Sequence, residues 1–252
     1  AATQAAHSLA THGFCVLDNF LGEYALISTR KFLSLLVSSN KMSSPADRGD
    51  IVQIRGDLAY GISAEEARET KVLGYLIQVV EMLVREMSAI LSRREELGDI
   101  EKEVDTVILT CYMPGAHFVE HVDNDCSNGR GKHCNGRRLS IVYYVNEKTR
   151  VDSEGGHLRL LGAVCSQGID AEEGTKAIPV HDVLPLGDRL CLFWADTRMR
   201  HQVLSTNSQR MAVMMWFRDR SEGQGNSDEN PASDCQMQDS VGEQCFGDGD
   251  EQ

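Results

Sequence analysis

The stretch RLCLFWADTRMRHQVLSTNSQRMAVMMWF, residues 189–217, decides the fold class of this chain. It contains three short, mainly apolar runs at residues 189–194, 201–204 and 210–217, separated by segments rich in Asp, Thr, Ser and Asn. Each run is shorter than an average helix and is bounded by residues that favour turns, which is typical of β-strands. The stretch therefore predicts three strands in the last third of the chain.

Outward from this stretch, the sequence changes from short strands to helices. The same β-rich texture recurs in three earlier segments, residues 106–112, 139–145 and 157–161. In the first hundred residues, apolar side chains recur instead at helical spacing, most clearly over residues 73–91, after a possible capping box of Ser63 and Glu66. Helices followed by many short strands predict an α+β fold: a double-stranded β-helix (jelly-roll) core buttressed by N-terminal helices.

Residues 38–50, SSNKMSSPADRGD, interrupt the helical region. The segment is polar, contains a proline and shows no apolar periodicity, so we predict a long surface loop there. Loops of this kind often cover binding sites.

Acidic residues are concentrated at the C-terminal end of the chain. The formal net charge is -13, and residues 221–252 contain nine acidic residues but no Lys or Arg, which leaves -4 for the remainder. This segment is also rich in Gly, Ser, Gln and Asn and nearly free of large apolar residues, which predicts disorder. We therefore expect one folded domain over residues 1–220 and an acidic disordered tail over residues 221–252.

Composition also limits the partners and the location of the chain. Lys and Arg do not cluster as binding to nucleic-acid phosphates requires, and no apolar run approaches the roughly 18 residues of a membrane-spanning helix. The eight cysteines are scattered without a recurring paired spacing, which indicates reduced thiols. We expect a monomer in the cytoplasm or nucleus that binds neither nucleic acid nor membranes.

His121-Val-Asp123 places two potential metal ligands two residues apart. On an extended strand, residues i and i+2 point to the same face, so both side chains can reach one ion. Such a pair occurs often by chance and is weak evidence alone. His201 is the best candidate for a third ligand, and two His with one carboxylate form the facial triad that binds Fe(II) and leaves positions open.

Arg210 strengthens the metal hypothesis. It lies nine residues after His201 and opens the next β-rich run. If the two runs are antiparallel neighbours, the guanidinium lies in the same barrel, where its planar fork can bind the distal carboxylate of 2-oxoglutarate. The alternative, an Arg that pairs with a surface acid, is less attractive beside the apolar residues 211–217.

Several short blocks, in the same order, resemble the catalytic domain of the prolyl 4-hydroxylases that modify hypoxia-inducible factor alpha subunits. The resemblance runs from His12 to Asp219. Its blocks are GFCVLDNFLG at 13–22, IRGD at 54–57, CY at 111–112, HVDN at 121–124, YYVN at 143–146, GGHLR at 155–159, FWAD at 193–196 and RMAVMMW at 210–216. The resemblance implies that residues 1–220 are the catalytic domain of an Fe(II)- and 2-oxoglutarate-dependent dioxygenase.

The resemblance also implies roles for further residues. Tyr144 would donate its hydroxyl to the 2-oxoglutarate carboxylate beside Arg210, and Tyr112 would line the pocket near the metal. Asp57, Arg137 and Trp216 match positions that bind the peptide substrate or wall the active site. By residue type alone, each Tyr and the Trp would be core aromatics, and Arg137 would lie in a solvated turn.

The implied reaction is oxygen-dependent 4-hydroxylation of a prolyl residue, coupled to decarboxylation of 2-oxoglutarate to succinate and CO2. It requires Fe(II) and O2, with ascorbate as the reductant. The partner would be a protein with a Leu-x-x-Leu-Ala-Pro segment such as hypoxia-inducible factor alpha, over which the loop at residues 38–50 would fold.

The chain departs from this family in residues 125–136, which are longer than the family pattern. This insertion contains Cys126, His133 and Cys134, but three candidate ligands without a fourth at zinc spacing favour a flexible loop over a second metal site. Two other functions stay open: a related hydroxylase that acts on a ribosomal or elongation-factor prolyl residue, and a non-catalytic binding module of the same fold.

Overall fold

The computed structural model describes residues 1–91, 100–101, 103–104, 106–124, 135–162 and 180–219. The helices are α1 (Ala2–His12), α2 (Glu23–Ser38), α3 (Pro45–Arg48), α4 (Ala64–Glu69) and α5 (Lys71–Leu91). The strands are β1 (Phe14–Leu17), β2 (Asp57–Ser63), β3 (Thr106–Tyr112), β4 (Phe118–His121), β5 (Arg137–Tyr144), β6 (Leu158–Gly162), β7 (Val180–Val183), β8 (Arg189–Trp194), β9 (Met199–Val203) and β10 (Arg210–Arg218). A 3-10 helix covers Asp152–Glu154. The predicted tail and the Cys126, His133 and Cys134 insertion lie outside the described residues.

The strands form two antiparallel sheets that face each other. The six-stranded sheet has the order β1-β8-β5-β10-β3-β2, and the four-stranded sheet has the order β4-β9-β6-β7. Phe193 of the larger sheet contacts His201 of the smaller sheet edge to face, with ring centroids 4.7 Å apart. Two facing antiparallel sheets with strands that alternate between them confirm the predicted jelly roll.

The side chains of β3 show how the larger sheet separates the cavity from the core. Thr106, Ile108 and Thr110 alternate along the strand and line a cavity between the sheets. The intervening Val107 and Leu109 are fully buried in the hydrophobic core, together with the apolar side of α5. The helices therefore buttress the larger sheet and leave its other face for the cavity.

The predicted capping box exists, but it begins a short helix. The Ser63 hydroxyl accepts from the backbone N–H of Glu66, and the Glu66 carboxylate accepts from Ser63. The helix α4 ends at Glu69, the backbone of Thr70 is extended, and α5 begins at Lys71. At Gly74 a Cβ would lie 2.6 Å from the Arg68 carbonyl oxygen, so only glycine permits this close approach of the two helices.

The predicted loop at residues 38–50 contains regular structure that the pattern did not indicate. Ser44 caps α3 with Asp47 in a second capping box, and Pro45 occupies the first helical position. Ser43 forms a β-bridge with Ala59 of β2, so the loop is attached to the edge of the larger sheet. The sequence prediction also missed β2 and β7, because β7 has only four residues and β2 contains Gly61.

The expected pairing of the strands that bear His201 and Arg210 is wrong. β9 pairs with β4 and β6 in the smaller sheet, whereas β10 pairs with β3 and β5 in the larger sheet. The chain crosses from one sheet to the other between these strands. His201 and Arg210 therefore approach the cavity from opposite walls.

None of the helices within the described ranges combines the length and apolarity needed to cross a membrane.

Candidate metal centre and adjoining cavity

The structure brings the three predicted metal ligands together. His121 ends β4 and pairs directly in register with His201 of β9, and Asp123 follows in the turn. One ligand atom from each side chain lies within 4.8 Å of the others. Asp123 lies beyond the end of its strand, so the expectation of one extended HxD strand holds only as far as His121.

Backbone carbonyls orient both imidazoles. The Nδ1 of His121 lies 2.9 Å from the carbonyl oxygen of Val119, and the Nδ1 of His201 lies 3.3 Å from that of Met199. An Nδ1–H that donates to these carbonyls leaves each Nε2 as a free lone pair. Each Nε2 lies 3.8 Å from an Asp123 carboxylate oxygen, so both lone pairs point toward the shared site.

Two side chains of the larger sheet fix the Asp123 carboxylate. Ser140 donates its hydroxyl to Oδ2 at 2.5 Å, and the indole N–H of Trp216 donates to the same oxygen at 3.0 Å. These two hydrogen bonds hold the Asp123 carboxylate in place from the larger sheet. Outer partners of this kind orient metal ligands in proteins.

The electrostatics keep Asp123 and His121 in the protonation states that bind a cation. Burial raises the pKa of Asp123, but His201, His121, Arg137 and the Ser140 hydrogen bond outweigh it and lower the pKa to about 2. Burial lowers the pKa of His121, and the neighbouring His201 lowers it further, to about 3. At neutral pH the site therefore presents an ionised carboxylate beside a neutral His121 imidazole.

Aromatic rings pack around the two imidazoles. Phe118 stacks on His121 with centroids 3.8 Å apart, and the Arg55 guanidinium lies 4.5 Å from the centroid of the same phenyl ring. Together with Phe193 against His201, this packing limits rotation of the ligands.

The cavity beside the ligands has a volume of about 620 Å³, and Arg210 is one of the residues that line it. The guanidinium is buried and lies 4.9 and 5.2 Å from the ring centroids of Tyr112 and Tyr144. Its Nε donates to the carbonyl oxygen of Gly156 at 2.8 Å, and no carboxylate of the described residues lies within 4.0 Å of it. We call Arg210, Tyr112 and Tyr144 the inner end of the cavity.

The Tyr144 hydroxyl is buried and has no hydrogen-bond partner among the described residues. Burial raises the pKa of this phenol, although the neighbouring charge of Arg210 opposes the shift. The hydroxyl therefore keeps its proton and is available as a donor. A buried donor beside a buried cation without a counterion is the arrangement that a bound carboxylate would complete.

Arg48, Asp50 and Arg55 also line the cavity, and their charges are neutralised within the chain together with that of Asp57. The buried Asp57 carboxylate accepts from the Nε and Nη2 of Arg55 at 2.8 Å each, and Arg48 donates to Asp50 at 2.8 Å and to the Asp57 carbonyl oxygen at 3.1 Å. We call Arg48, Asp50, Arg55 and Asp57 the mouth cluster. It joins the segment with α3 to the start of β2.

The predicted substrate residues occupy different surroundings. Arg137 and Trp216 both line the cavity near the metal ligands, and the Arg137 guanidinium lies 4.1 Å from the Trp216 ring. Asp57 is covered by Arg55. Direct contact of these three residues with a peptide stays a prediction.

Sequence reasoning missed Ser140, although a signal existed. Ser140 is a polar residue inside an apolar run, and it shares its face of β5 with Val142 and Tyr144. A polar residue on the same strand face as Tyr144, a candidate pocket residue, predicts a role in the same pocket. The contact of Phe118 with His121 carried no comparable signal.

Comparison with known proteins gives a consistent result. The sequence model of the 2OG-Fe(II) oxygenase superfamily matches residues 107–218. Egl nine homolog 1 of Rattus norvegicus is 30% identical over 223 residues, which cover 84% of this chain and 56% of that protein. Prolyl hydroxylase EGLN3 of Homo sapiens is 29% identical over 216 residues, which cover 83% of this chain and 80% of that protein. The chain spans about half the length of the curated relatives it matches first.

Solved structures show the same fold. A prolyl hydroxylase from Trichoplax adhaerens, in complex with a hypoxia-inducible factor oxygen degradation domain peptide fragment, matches with a TM-score of 0.72 and 26% identity. The match covers 90% of this chain and 93% of that one. A Pseudomonas putida prolyl-4-hydroxylase matches with a TM-score of 0.67 and 21% identity over 87% of this chain and all of that one, which supports the fold alone.

Proposed function

We propose that this chain, of which residues 107–218 match the sequence model of the 2OG-Fe(II) oxygenase superfamily, hydroxylates a prolyl residue of a protein substrate at C4, with hypoxia-inducible factor alpha as the favoured substrate. The reaction is coupled to oxidative decarboxylation of 2-oxoglutarate to succinate and CO2. The observation that carries the proposal is the metal triad beside a buried cation and a buried hydroxyl that both lack an anionic partner.

The residues present fit the Fe(II) that the family implies. Two His and one carboxylate are the donor set of non-haem Fe(II) oxygenases, and His121, Asp123 and His201 would hold the ion. When bound, Fe(II) supplies the oxidising chemistry, in which dioxygen and two electrons from 2-oxoglutarate convert a C–H bond to a C–OH bond. The chain itself positions the reactants and excludes water.

The inner end orients the co-substrate. Arg210 is held by Gly156 through Nε, and its two terminal nitrogens would bind a carboxylate in a planar fork. The protonated Tyr144 hydroxyl donates to the same carboxylate. This anchor fixes one end of 2-oxoglutarate, and the keto acid end then extends along the cavity toward the metal ligands.

The mouth of the cavity would accept the substrate. The cavity runs from the inner end past the metal ligands to the exposed Lys41 and Gly61, so a peptide can enter while the co-substrate is bound. Arg137 stacked on Trp216 would form the wall nearest the target proline. The Trichoplax prolyl hydroxylase, which is in complex with a peptide fragment, has the same fold as this chain and supports a peptide as the substrate.

We propose a Leu-x-x-Leu-Ala-Pro segment as the recognised sequence and ascorbate as the supporting reductant. A ribosomal or elongation-factor prolyl residue is the second candidate, because the metal triad and Arg210 do not encode the peptide.

We also propose a cytoplasmic or nuclear location, supported by three cysteines that are buried as free thiols, Cys15, Cys111 and Cys191. The monomeric state stays a prediction.

A peptide assay tests the proposal. The protein is incubated with Fe(II), 2-oxoglutarate, ascorbate and dioxygen together with peptides from hypoxia-inducible factor alpha, a ribosomal protein and an elongation factor, and the products are sequenced by mass spectrometry. We expect a gain of one oxygen atom at the proline of the Leu-x-x-Leu-Ala-Pro peptide, lost when that proline is Ala or when the enzyme carries Asp123→Ala.

Oxidation of a different peptide in the panel would overturn the favoured substrate and retain the enzyme class. Absence of succinate and of oxidised peptide in every reaction, with intact folded protein, would favour the non-catalytic binding module instead.

A further inference from the structure

Arg150 is a buried arginine that the proposed mechanism does not use. It lies between β5 and the 3-10 helix, and 6% of its surface is exposed. Its Nη1 donates to the Gln209 carbonyl oxygen at 2.9 Å, and its Nη2 donates to the Thr206 hydroxyl at 2.9 Å and to the Gly155 carbonyl oxygen at 3.2 Å. Within the described ranges no carboxylate lies within 4.0 Å of this guanidinium.

The groups that Arg150 binds lie on both sides of Arg210. Gln209 is the residue before Arg210, and Thr206 belongs to the loop that leads from β9 to β10. Gly155 precedes Gly156, whose carbonyl oxygen accepts from the Nε of Arg210. One guanidinium therefore fixes the two segments that set the direction of the Arg210 side chain.

The turn at Gly155 and Gly156 has little freedom to adjust. Both residues have left-handed backbone conformations, with φ of 64° and 73°. A Cβ at Gly156 would lie 2.9 Å from the Thr206 hydroxyl oxygen and 3.0 Å from Cδ of Arg210. Because the turn packs directly on the Arg210 side chain, a shift of the turn moves the anchor as well.

Arg150 also places a second positive charge behind the anchor. Burial lowers the pKa of Arg150, Glu154 raises it, and the nearby Arg210 lowers it. Arg150 and Arg210 thus repel each other in a buried region where their direct hydrogen-bond acceptors are neutral oxygens. An anion bound at the inner end would relieve this repulsion.

We infer that Arg150 is a positioning residue for the co-substrate anchor, which holds the turn that orients Arg210 and favours keto acids with a distal carboxylate over those without one. The inference rests on the proposed function only in taking 2-oxoglutarate as the co-substrate. It does not depend on the identity of the peptide.

Binding to the Mn(II)-loaded protein without dioxygen tests the inference, since no turnover occurs. Calorimetry gives the affinity for 2-oxoglutarate and for 2-oxopentanoate, which has the same carbon chain without the distal carboxylate. For Arg150→Gln we expect 2-oxoglutarate binding to weaken about tenfold, as for one lost charge-assisted contact, with a smaller change for 2-oxopentanoate. Mn(II) affinity should stay unchanged.

Two further variants separate charge from packing. Arg150→Lys keeps the charge and loses the fork, so it should recover part of the affinity for 2-oxoglutarate and retain the preference over 2-oxopentanoate. Arg159→Gln is the matched control, because Arg159 pairs with Asp182 on the exposed side of β6 and should leave both affinities unchanged.

Equal losses for the two keto acids, or 2-oxoglutarate affinity in Arg150→Gln equal to wild type, would overturn the inference. If Arg150→Gln does not fold, Arg150→Lys decides, and loss of its preference for the dicarboxylate would contradict the inference. Wild-type protein that fails to bind 2-oxoglutarate would overturn both this inference and the proposed function. Wild-type protein that binds it but leaves every peptide unmodified would overturn only the proposed function.

Discussion

Two groups of charged residues at the cavity use arginine in opposite ways. At the mouth cluster, Arg55 is paired with Asp57 and Arg48 with Asp50, so the positive charges are neutralised within the chain. At the inner end, Arg210 donates to a backbone carbonyl and has no carboxylate of the described residues within 4.0 Å. Arginine therefore forms a structural contact in the mouth cluster and an open anion site at the inner end.

This difference shows that the partners of an arginine, rather than its presence, indicate its function. A neutralised arginine contributes to stability and holds a segment in place. A buried arginine without a counterion destabilises the empty site, and an incoming anion recovers that cost. Changes at the inner end should therefore affect co-substrate binding, whereas changes at the mouth should affect stability and peptide binding.

The largest effect is expected at the metal triad, because both succinate formation and peptide oxidation require the bound metal. His201→Ala removes one of three ligands, so metal affinity should fall by more than the roughly 10- to 100-fold that loss of an outer partner costs. Both succinate formation and peptide oxidation should fall to background. Metal analysis after dialysis measures the first effect, and wild-type metal content in the variant would contradict the assignment of His201.

Arg210→Gln breaks the inner end alone. Loss of the charged fork should weaken 2-oxoglutarate binding roughly 100-fold, or about 3 kcal/mol. Thermal stability of the metal-free protein should not fall, because the substitution removes a buried charge that lacks a counterion. A lower melting temperature with unchanged co-substrate affinity would show that Arg210 is a structural residue like those of the mouth cluster.

Asp57→Asn breaks the mouth alone and should give the reverse pattern. The substitution removes the carboxylate that accepts two hydrogen bonds from Arg55 and leaves Asp50 at 3.6 Å as a more distant counterion, so the free energy of unfolding should fall by roughly 2 kcal/mol. The Michaelis constant for the peptide should rise about tenfold, which corresponds to about 1.4 kcal/mol, while that for 2-oxoglutarate stays unchanged. Denaturant unfolding and steady-state kinetics with each substrate varied measure these effects, and an altered constant for 2-oxoglutarate would contradict the separation of the two ends.

The smallest effect, with opposite signs on stability and binding, is expected for Tyr144→Phe. The hydroxyl is buried without a partner, so its removal should stabilise the empty protein by about 1 kcal/mol. The same removal should weaken 2-oxoglutarate binding about fivefold to tenfold, because one donor to the carboxylate is lost. Melting temperatures with and without co-substrate measure both, and a less stable empty variant would mean that the hydroxyl has a partner within the protein.

The metal ligands could be predicted from sequence because their chemistry is expressed in residue type and spacing. His121, Asp123, His201 and Arg210 are all found at the cavity. The expected pairing of the strands that bear His201 and Arg210 was nevertheless wrong, since β9 and β10 lie in different sheets. Spacing along the chain limits which residues can meet but does not determine which strands pair.

The residues around the ligands were harder to predict, because their contacts join distant parts of the chain. Trp216 was predicted to wall the active site, and the structure adds a hydrogen bond to Asp123, 93 residues away in sequence. The contacts of Arg150 are to a hydroxyl and to main-chain carbonyls, and a carbonyl oxygen is present at every residue. No sequence pattern identifies which carbonyls a turn will present to a given guanidinium.

The measurement that tests the central claim most directly is a single reaction under ¹⁸O-labelled dioxygen with 2-oxoglutarate and the Leu-x-x-Leu-Ala-Pro peptide. We predict one labelled oxygen atom in succinate and one at the proline of the peptide, in equal amounts. Labelled succinate with an unmodified peptide would show that the inner end and the metal centre work as described but that the mouth accepts a different substrate. No label in either product, from protein with bound metal, would contradict the account.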